Sequence, residues 1–185
     1  MNVDFNIIEN NYKQEFSFIS KLYLKETFPH SWIFYGPKDS GKRRFLDIFI
    51  KKVLKEKKNN QFIYEINGDE NIAMIDDVRK LINQGNLTNS VDKISKTFLV
   101  INNLELLNKN SIIALLKTLE EPPPNTVLIL ITHNLKLIPQ TIKSRCIKIK
   151  FNPYKLLGDN YKNDNEKEKL LISDGSPSIY NLLLT

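Results

Sequence analysis

The sequence holds one cysteine, Cys146, in 185 residues. A single thiol excludes a disulfide framework within the chain and any zinc site built on several cysteines. His30 and His133 have no metal-binding partners near them in the sequence, so no metal site is expected. No apolar run approaches the roughly 18 residues that a membrane-crossing helix needs. No membrane partner is expected. The opening MNVDFNIIENN lacks the basic-then-apolar pattern of a secretion signal, and the expected location is cytoplasmic. A large excess of charge of one sign is also absent. Lys and Arg number 27 against 21 Asp and Glu, a formal charge of +6, and the lysines are scattered rather than clustered. That balance is compatible with nucleic acid nearby, but a solvated lysine-rich surface describes it better than a dedicated phosphate-binding face.

What is present is an alternation of helical and strand patterns. Asn11–Glu26 has Phe16, Ile19 and Tyr23 at helical spacing, and Phe28-Pro29-His30 breaks it. SWIFY (31–35), QFIYEI (61–66), TFLVI (97–101), VLILI (127–131) and Cys146–Phe151 read as five strands. Helices are expected over Arg43–Lys58, Ile75–Asn83, the run from Ser111 and Ile138–Lys143, with Gly85–Ser95 as a polar loop. Strands separated by helices predict a parallel sheet with right-handed crossovers. Residues 1–151 form this domain. Residues 152–185 are polar and charged, with an apolar end at Ile179–Leu184, and read as an abbreviated helical lid.

The densest signal lies between Leu107 and Phe151. In SIIALLKTLEEPPP (111–124), Ile112, Leu115, Leu116 and Leu119 make one apolar stripe, and Asn108 or Asn110 is placed to cap the helix. Pro122, Pro123 and Pro124 stop it, because proline donates no N–H and restricts the residue before it. VLILI is apolar on both faces, as a strand covered on both sides must be. Thr132, His133 and Asn134 then leave the carboxyl end of that strand, where open α/β sheets place ligand sites. In the last strand Ile147, Ile149 and Phe151 are expected on one face, with Lys148 and Lys150 on the other.

Gly36-Pro37-Lys38-Asp39-Ser40-Gly41-Lys42 fits G-x-x-x-x-G-K between a strand and a helix. In that context backbone N–H groups and the helix N-terminus cradle a phosphate, and the lysine reaches the terminal phosphates. Gly36, Gly41 and Lys42 are therefore the candidate nucleotide-binding residues. The next residue, however, is Arg43. A working loop carries Ser or Thr there to hold Mg²⁺, and arginine cannot coordinate a cation. Two readings follow: a loop that holds phosphate without magnesium, or one kept as a structural connection with Lys42 and Arg43 solvated. The second is preferred, and no cofactor is expected.

The combination ALLKTLEEPP, strand, T-x-N, then I-x-S-R-C resembles bacterial clamp-loader subunits, the AAA+ proteins that open the sliding clamp of the replicative polymerase. The resemblance covers about residues 10–151 and implies a P-loop AAA+ fold. Active relatives carry a carboxylate pair after strand three. Here those positions are Asn102 and Asn103, and an amide is neither a general base nor a good ligand for a hard cation. Glu105 matches an acidic position of the family that is not the catalytic one. Gly175-Ser176-Pro177 resembles the lid motif, yet no arginine follows among Ser178–Asn181. The resemblance thus implies no ATPase activity in isolation.

Arg145 of Ser144-Arg145-Cys146 carries the opposite implication. In the family this arginine reaches the ATP of the neighbouring subunit, where a planar, permanently charged guanidinium stabilises the transferring phosphoryl group. The alternative is a helix cap or a surface ion pair. An intact Ser-Arg-Cys beside a degenerate loop resembles the delta-prime type of polymerase III subunit. The competing gamma/tau ATPase type would show Lys-Thr or Lys-Ser, a carboxylate pair and a four-cysteine zinc module. The implied partners are gamma/tau ATPase subunits, the delta subunit, the sliding clamp and, through the complex, primer-template DNA. The complex as a whole would have DNA-directed DNA polymerase activity. A magnesium-dependent motor with unusual ligands and a stand-alone nucleic-acid binder are the other classes in play. The family also carries a C-terminal helical collar. This sequence reaches Thr185 without one, as a truncated chain would, or a reduced subunit assembling through its AAA+ faces.

The remaining residues have simpler readings. Thr132 and Asn134 match the family's sensor position, Cys146 a buried residue opening a strand, and Trp32 core. Ile75-Asp76-Asp77-Val78-Arg79 matches an ID-x-VR helix with a packing and interface role.

Overall fold

The computed structural model describes residues 12–25, 27–54, 62–66, 75–91 and 96–152. The expected lid and its Gly175-Ser176-Pro177 turn lie outside them. Five strands, β1 (Ser31–Tyr35), β2 (Phe62–Ile66), β3 (Thr97–Ile101), β4 (Thr126–Thr132) and β5 (Ile147–Lys150), form one sheet in the order β2-β3-β4-β1-β5. Every pairing is parallel. Each strand must therefore be joined to the next by a crossover, and the helices α1 (Lys13–Leu24), α2 (Lys42–Phe49), α3 (Ile75–Val91), α4 (Lys109–Glu120) and α5 (Gln140–Lys143) are distributed over both faces.

Side-chain alternation along the strands builds two cores. Trp32, Phe34, Phe98, Val100, Val127, Ile129 and Ile131 point to one face, where Ile19 and Tyr23 of α1 and Phe45, Ile48 and Phe49 of α2 cover them. That layer is aromatic: Phe45 sits edge-on to Phe151 with ring centroids 5.0 Å apart, and Phe28 stacks on Phe49 at 5.9 Å. Ile33, Leu99, Ile101, Leu128 and Leu130 point to the other face, against Val78 and Leu81 of α3, Leu115 and Leu119 of α4 and Ile142 of α5. β3 and β4 are buried along their whole length, which is why their sequences are apolar without alternation.

Several boundaries differ from the sequence reading. α3 runs on to Val91, so residues 85–91 are helical and not loop; Gly85 lowers helix propensity by only about 1 kcal/mol, which the rest of the helix absorbs. α2 stops at Phe49 and passes into a π-helical turn, Ile50–Leu54. The short helix before Arg145 spans Gln140–Lys143, preceded by a 3₁₀ turn at Leu135–Leu137. Ile149 of β5 and Phe151 just beyond it are buried but Ile147 is 36% exposed, because β5 is an edge strand with a neighbour on one side only. The proline stop behaves as expected. α4 starts on Asn108, whose side chain accepts a bond from Ser111 N, and ends at Glu120, two residues before Pro122.

Candidate functional site

The connection between β1 and α2 crosses the carboxyl edge of the sheet. Gly36 leaves β1 at φ +152°, and a Cβ there would meet the Phe151 carbonyl oxygen at 2.1 Å. Only glycine allows the strand that follows Arg145 to pass this closely behind the loop. Gly41, at φ +83°, turns the chain into α2 from the left-handed region. The loop is also braced from behind, since the buried Tyr12 donates its hydroxyl to the Ser40 carbonyl at 2.7 Å.

Lys42 is 4% exposed and its amine donates to the Gly36 and Pro37 carbonyls, each at 2.6 Å, and to Ser40 Oγ at 3.2 Å. Burial pushes its pKa down to about 8, against the upward pull of Glu105 and Asp39. The expectation of a solvated Lys42 is thus corrected: the loop wraps its own lysine. Burial also lowers the pKa of His133, as does the charge of Lys42, with Glu105 opposing them.

Arg43 is likewise not solvated. Its Nε and Nη2 form a fork onto Glu65 of β2 at 2.7 and 2.5 Å, and Nη1 pairs with Asp47 one turn along α2. Asn102, just past β3, donates its amide to the same Glu65 oxygen that Nε reaches. Burial pushes Glu65 up, but the hydrogen bonds from Arg43 and Asn102, with the Arg43 charge, outweigh it and hold the carboxyl below its usual range. The Arg43 guanidinium is shifted upward, chiefly by its hydrogen bond to Glu65. The position that would carry a magnesium-binding hydroxyl and the first of the two carboxylate positions are therefore joined through Glu65 into one closed polar set. Asn103 takes a left-handed turn, φ +48°, into a 3₁₀ turn at Leu104–Leu106.

Glu105, on that turn, reaches β4. It accepts from Thr132 Oγ1 at 2.6 Å and from the His133 N–H at 3.1 Å. Thr132 Oγ1 in turn accepts from the Asn134 N–H, and Asn134 caps the next turn through Lys136 N. The expected sensor residues are thus brought beside the loop, held by Glu105.

Arg145 stands apart from this cluster. Its backbone is pinned on both sides: the N–H donates to Ile142 O at 3.1 Å, and the carbonyl accepts from Ser31 Oγ at 2.6 Å. The side chain is at the surface, donating from Nη1 to Thr141 O at 2.9 Å and from Nη2 to Glu120 Oε1 at 2.7 Å. A helix-end contact and a surface ion pair are both present. Cys146 is buried and its thiol is pushed up to about 11 by that burial, the wrong direction for a nucleophile. Among the described residues no group of His, Cys, Asp and Glu is arranged to hold a metal ion. No helix among them is long and apolar enough to cross a membrane.

Sequence reasoning missed Glu65 and Glu120. A lone carboxylate in the apolar run QFIYEI was the available signal for the first. The second needed the distance between α4 and Arg145, which no local pattern carries.

The profile of the family described as DNA polymerase III, delta subunit, matches residues 56–155. The chain is 28% identical to the DNA polymerase III subunit gamma of Buchnera aphidicola subsp. Baizongia pistaciae over 158 residues, 76% of this chain and 42% of that protein. It is 28% identical to the DNA polymerase III subunit delta' of Pseudomonas aeruginosa over 149 residues, 70% of this chain and 45% of that protein. The chain therefore spans less than half the length of these curated relatives. A crystal structure of a DNA polymerase III gamma-subunit-related protein from Thermotoga maritima superposes with a TM-score of 0.58 at 21% identity, covering 90% of this chain and 57% of that one. That likeness establishes the fold. With the profile spanning more than half of its residues, the chain belongs to the DNA polymerase III delta-subunit family and carries the P-loop AAA+ fold of that polymerase's clamp-loader subunits.

Proposed function

We propose that this chain is a non-catalytic, delta-prime-type subunit of the clamp loader, which helps place the sliding clamp on DNA and lends Arg145 to a neighbouring ATPase subunit. The observation that carries the non-catalytic half is the Arg43–Glu65–Asn102 set. A divalent cation entering beside Lys42 would meet a fixed guanidinium where hydrolytic sites offer a hydroxyl, and an amide where they offer a carboxylate. A guanidinium already committed to Glu65 and Asp47 offers a cation no ligand, and the general base is missing, which supports a site that does not hydrolyse ATP. The exposed guanidinium of Arg145 on a doubly pinned backbone supports the other half. A finger acting on another subunit's nucleotide needs a fixed base, a surface position and permanent charge.

The partners in this reading are gamma/tau-type ATPase subunits, the delta subunit, the clamp and primer-template DNA reached through the assembly, in the cytoplasm. The place of Gly36, Gly41 and Lys42 between β1 and α2 supports a second reading, in which the loop exchanges its own oxygens on Lys42 for a phosphate and holds a nucleotide without turning it over.

The deciding measurement is DNA- and clamp-stimulated ATP turnover by a loader reconstituted with its cognate ATPase subunits, with this chain or its Arg145→Ala variant. Turnover is expected to fall about a hundredfold or more with co-elution unchanged. Unchanged turnover in a normally assembled complex would leave the chain as a structural spacer. Magnesium-dependent ATP hydrolysis by the chain alone would overturn the non-catalytic assignment.

A further inference from the structure

Glu120 closes α4 in an electrostatically poor place. A carboxylate on the last residue of a helix faces the negative end of the helix dipole. It is also exposed, so burial does not explain it. Its one described contact is the pair with Arg145. That pair spans 25 residues and ties the end of α4 to the turn before β5.

The arginine's donors divide accordingly. Nη1 is committed to Thr141 O and, at 3.5 Å, to Ser144 Oγ, and one N–H of Nη2 is committed to Glu120. Nε and the second N–H of Nη2 carry no bond among the described residues. A guanidinium so held keeps two N–H donors for incoming oxygens. Its long side chain has already lost the rotamer freedom that docking would otherwise remove.

We propose that Glu120 is the positioning residue for Arg145: it fixes the guanidinium in the orientation in which a phosphate of a neighbouring subunit's nucleotide is met. This rests on the finger reading above, and it assigns to the LEEPPP segment a part in the partner's reaction. Glu120 does not touch the nucleotide. It acts through Arg145, by lowering the number of side-chain arrangements from which the transition state must be reached.

The test uses the reconstituted loader with wild-type chain, Arg145→Ala, Glu120→Ala, Glu120→Gln and the double variant Arg145→Ala/Glu120→Ala. Co-elution is checked for each. Glu120→Ala is expected to lower kcat about tenfold with the KM for ATP unchanged. Glu120→Gln, which keeps an acceptor oxygen without the charge, is expected to lose less. The double variant should match Arg145→Ala alone, because a positioning residue has nothing left to position. The proposal is overturned if Glu120→Ala turns over at the wild-type rate or faster while Arg145→Ala collapses; a faster rate would make Glu120 a restraint. It is also overturned if the two losses multiply in the double variant, since Glu120 would then act elsewhere. If Arg145→Ala is itself silent, the finger reading is what has failed.

Discussion

Replacing Arg43 by alanine tests whether the Arg43–Glu65–Asn102 set is a structural unit. The substitution removes a two-pronged bond to Glu65 and the pair with Asp47, and leaves Glu65 with Asn102 alone. Hydrogen bonds to charged groups contribute about 1.5–3 kcal/mol where solvent is excluded, and fully exposed ion pairs about 0.2–1 kcal/mol. The Arg43 side chain is 35% exposed and that of Glu65 22%, so the pair lies between these limits. A loss of about 2 kcal/mol follows, and for a chain of this size each kcal/mol moves Tm by about 2–4 °C. Thermal unfolding at pH 7 should therefore show Tm lower by about 4–8 °C. The pH dependence has a definite sign. Glu65 is held below its unfolded value of about 4.3, so its contribution is present above that pH and is lost as pH falls through the folded value. The gap between wild type and Arg43→Ala should persist from pH 7 to about 5 and narrow below about 4. A cycle with Glu65→Gln should give a coupling of about 1 kcal/mol or more. Additive losses, or a gap indifferent to acid, would refute the claim that these residues act together.

Gly36→Ala places a methyl group 2.1 Å from the Phe151 carbonyl oxygen at a backbone angle that L-residues avoid, so β5 or the loop must shift. Denaturant titration should show a loss of about 3 kcal/mol or more, or no soluble protein. Lys42, with its pKa lowered to about 8, binds its proton less tightly folded than unfolded. Stability should rise with pH between about 8 and 10 in wild type relative to Lys42→Met; parallel curves would show that the amine is not buried as described. The Arg145→Ala loss of about a hundredfold in partner turnover completes the set.

Much of this protein was legible in its sequence because the evidence is local. A buried parallel strand has both faces covered, so VLILI and TFLVI announce themselves by lacking alternation. Asn108 before the helical stripe and Pro122 after it mark both ends of α4, since capping and proline act within a turn. The resemblance, carried by local motifs, set Arg43, Asn102 and Asn103 at positions where it implies a hydroxyl and a carboxylate pair. Sequence alone, however, left Lys42 and Arg43 as solvated cations. Only the tertiary structure placed Glu65 of β2 between Arg43 and Asn102, because β2 and β3 pair in a register that sets Glu65 against Val100. Only it placed Glu120 against Arg145, where the turn before β5 passes the end of α4. Chain chemistry within a few residues decides strands and caps. Which charges meet across dozens of residues is decided by how the sheet is ordered, and strand order is a property of the whole packed core.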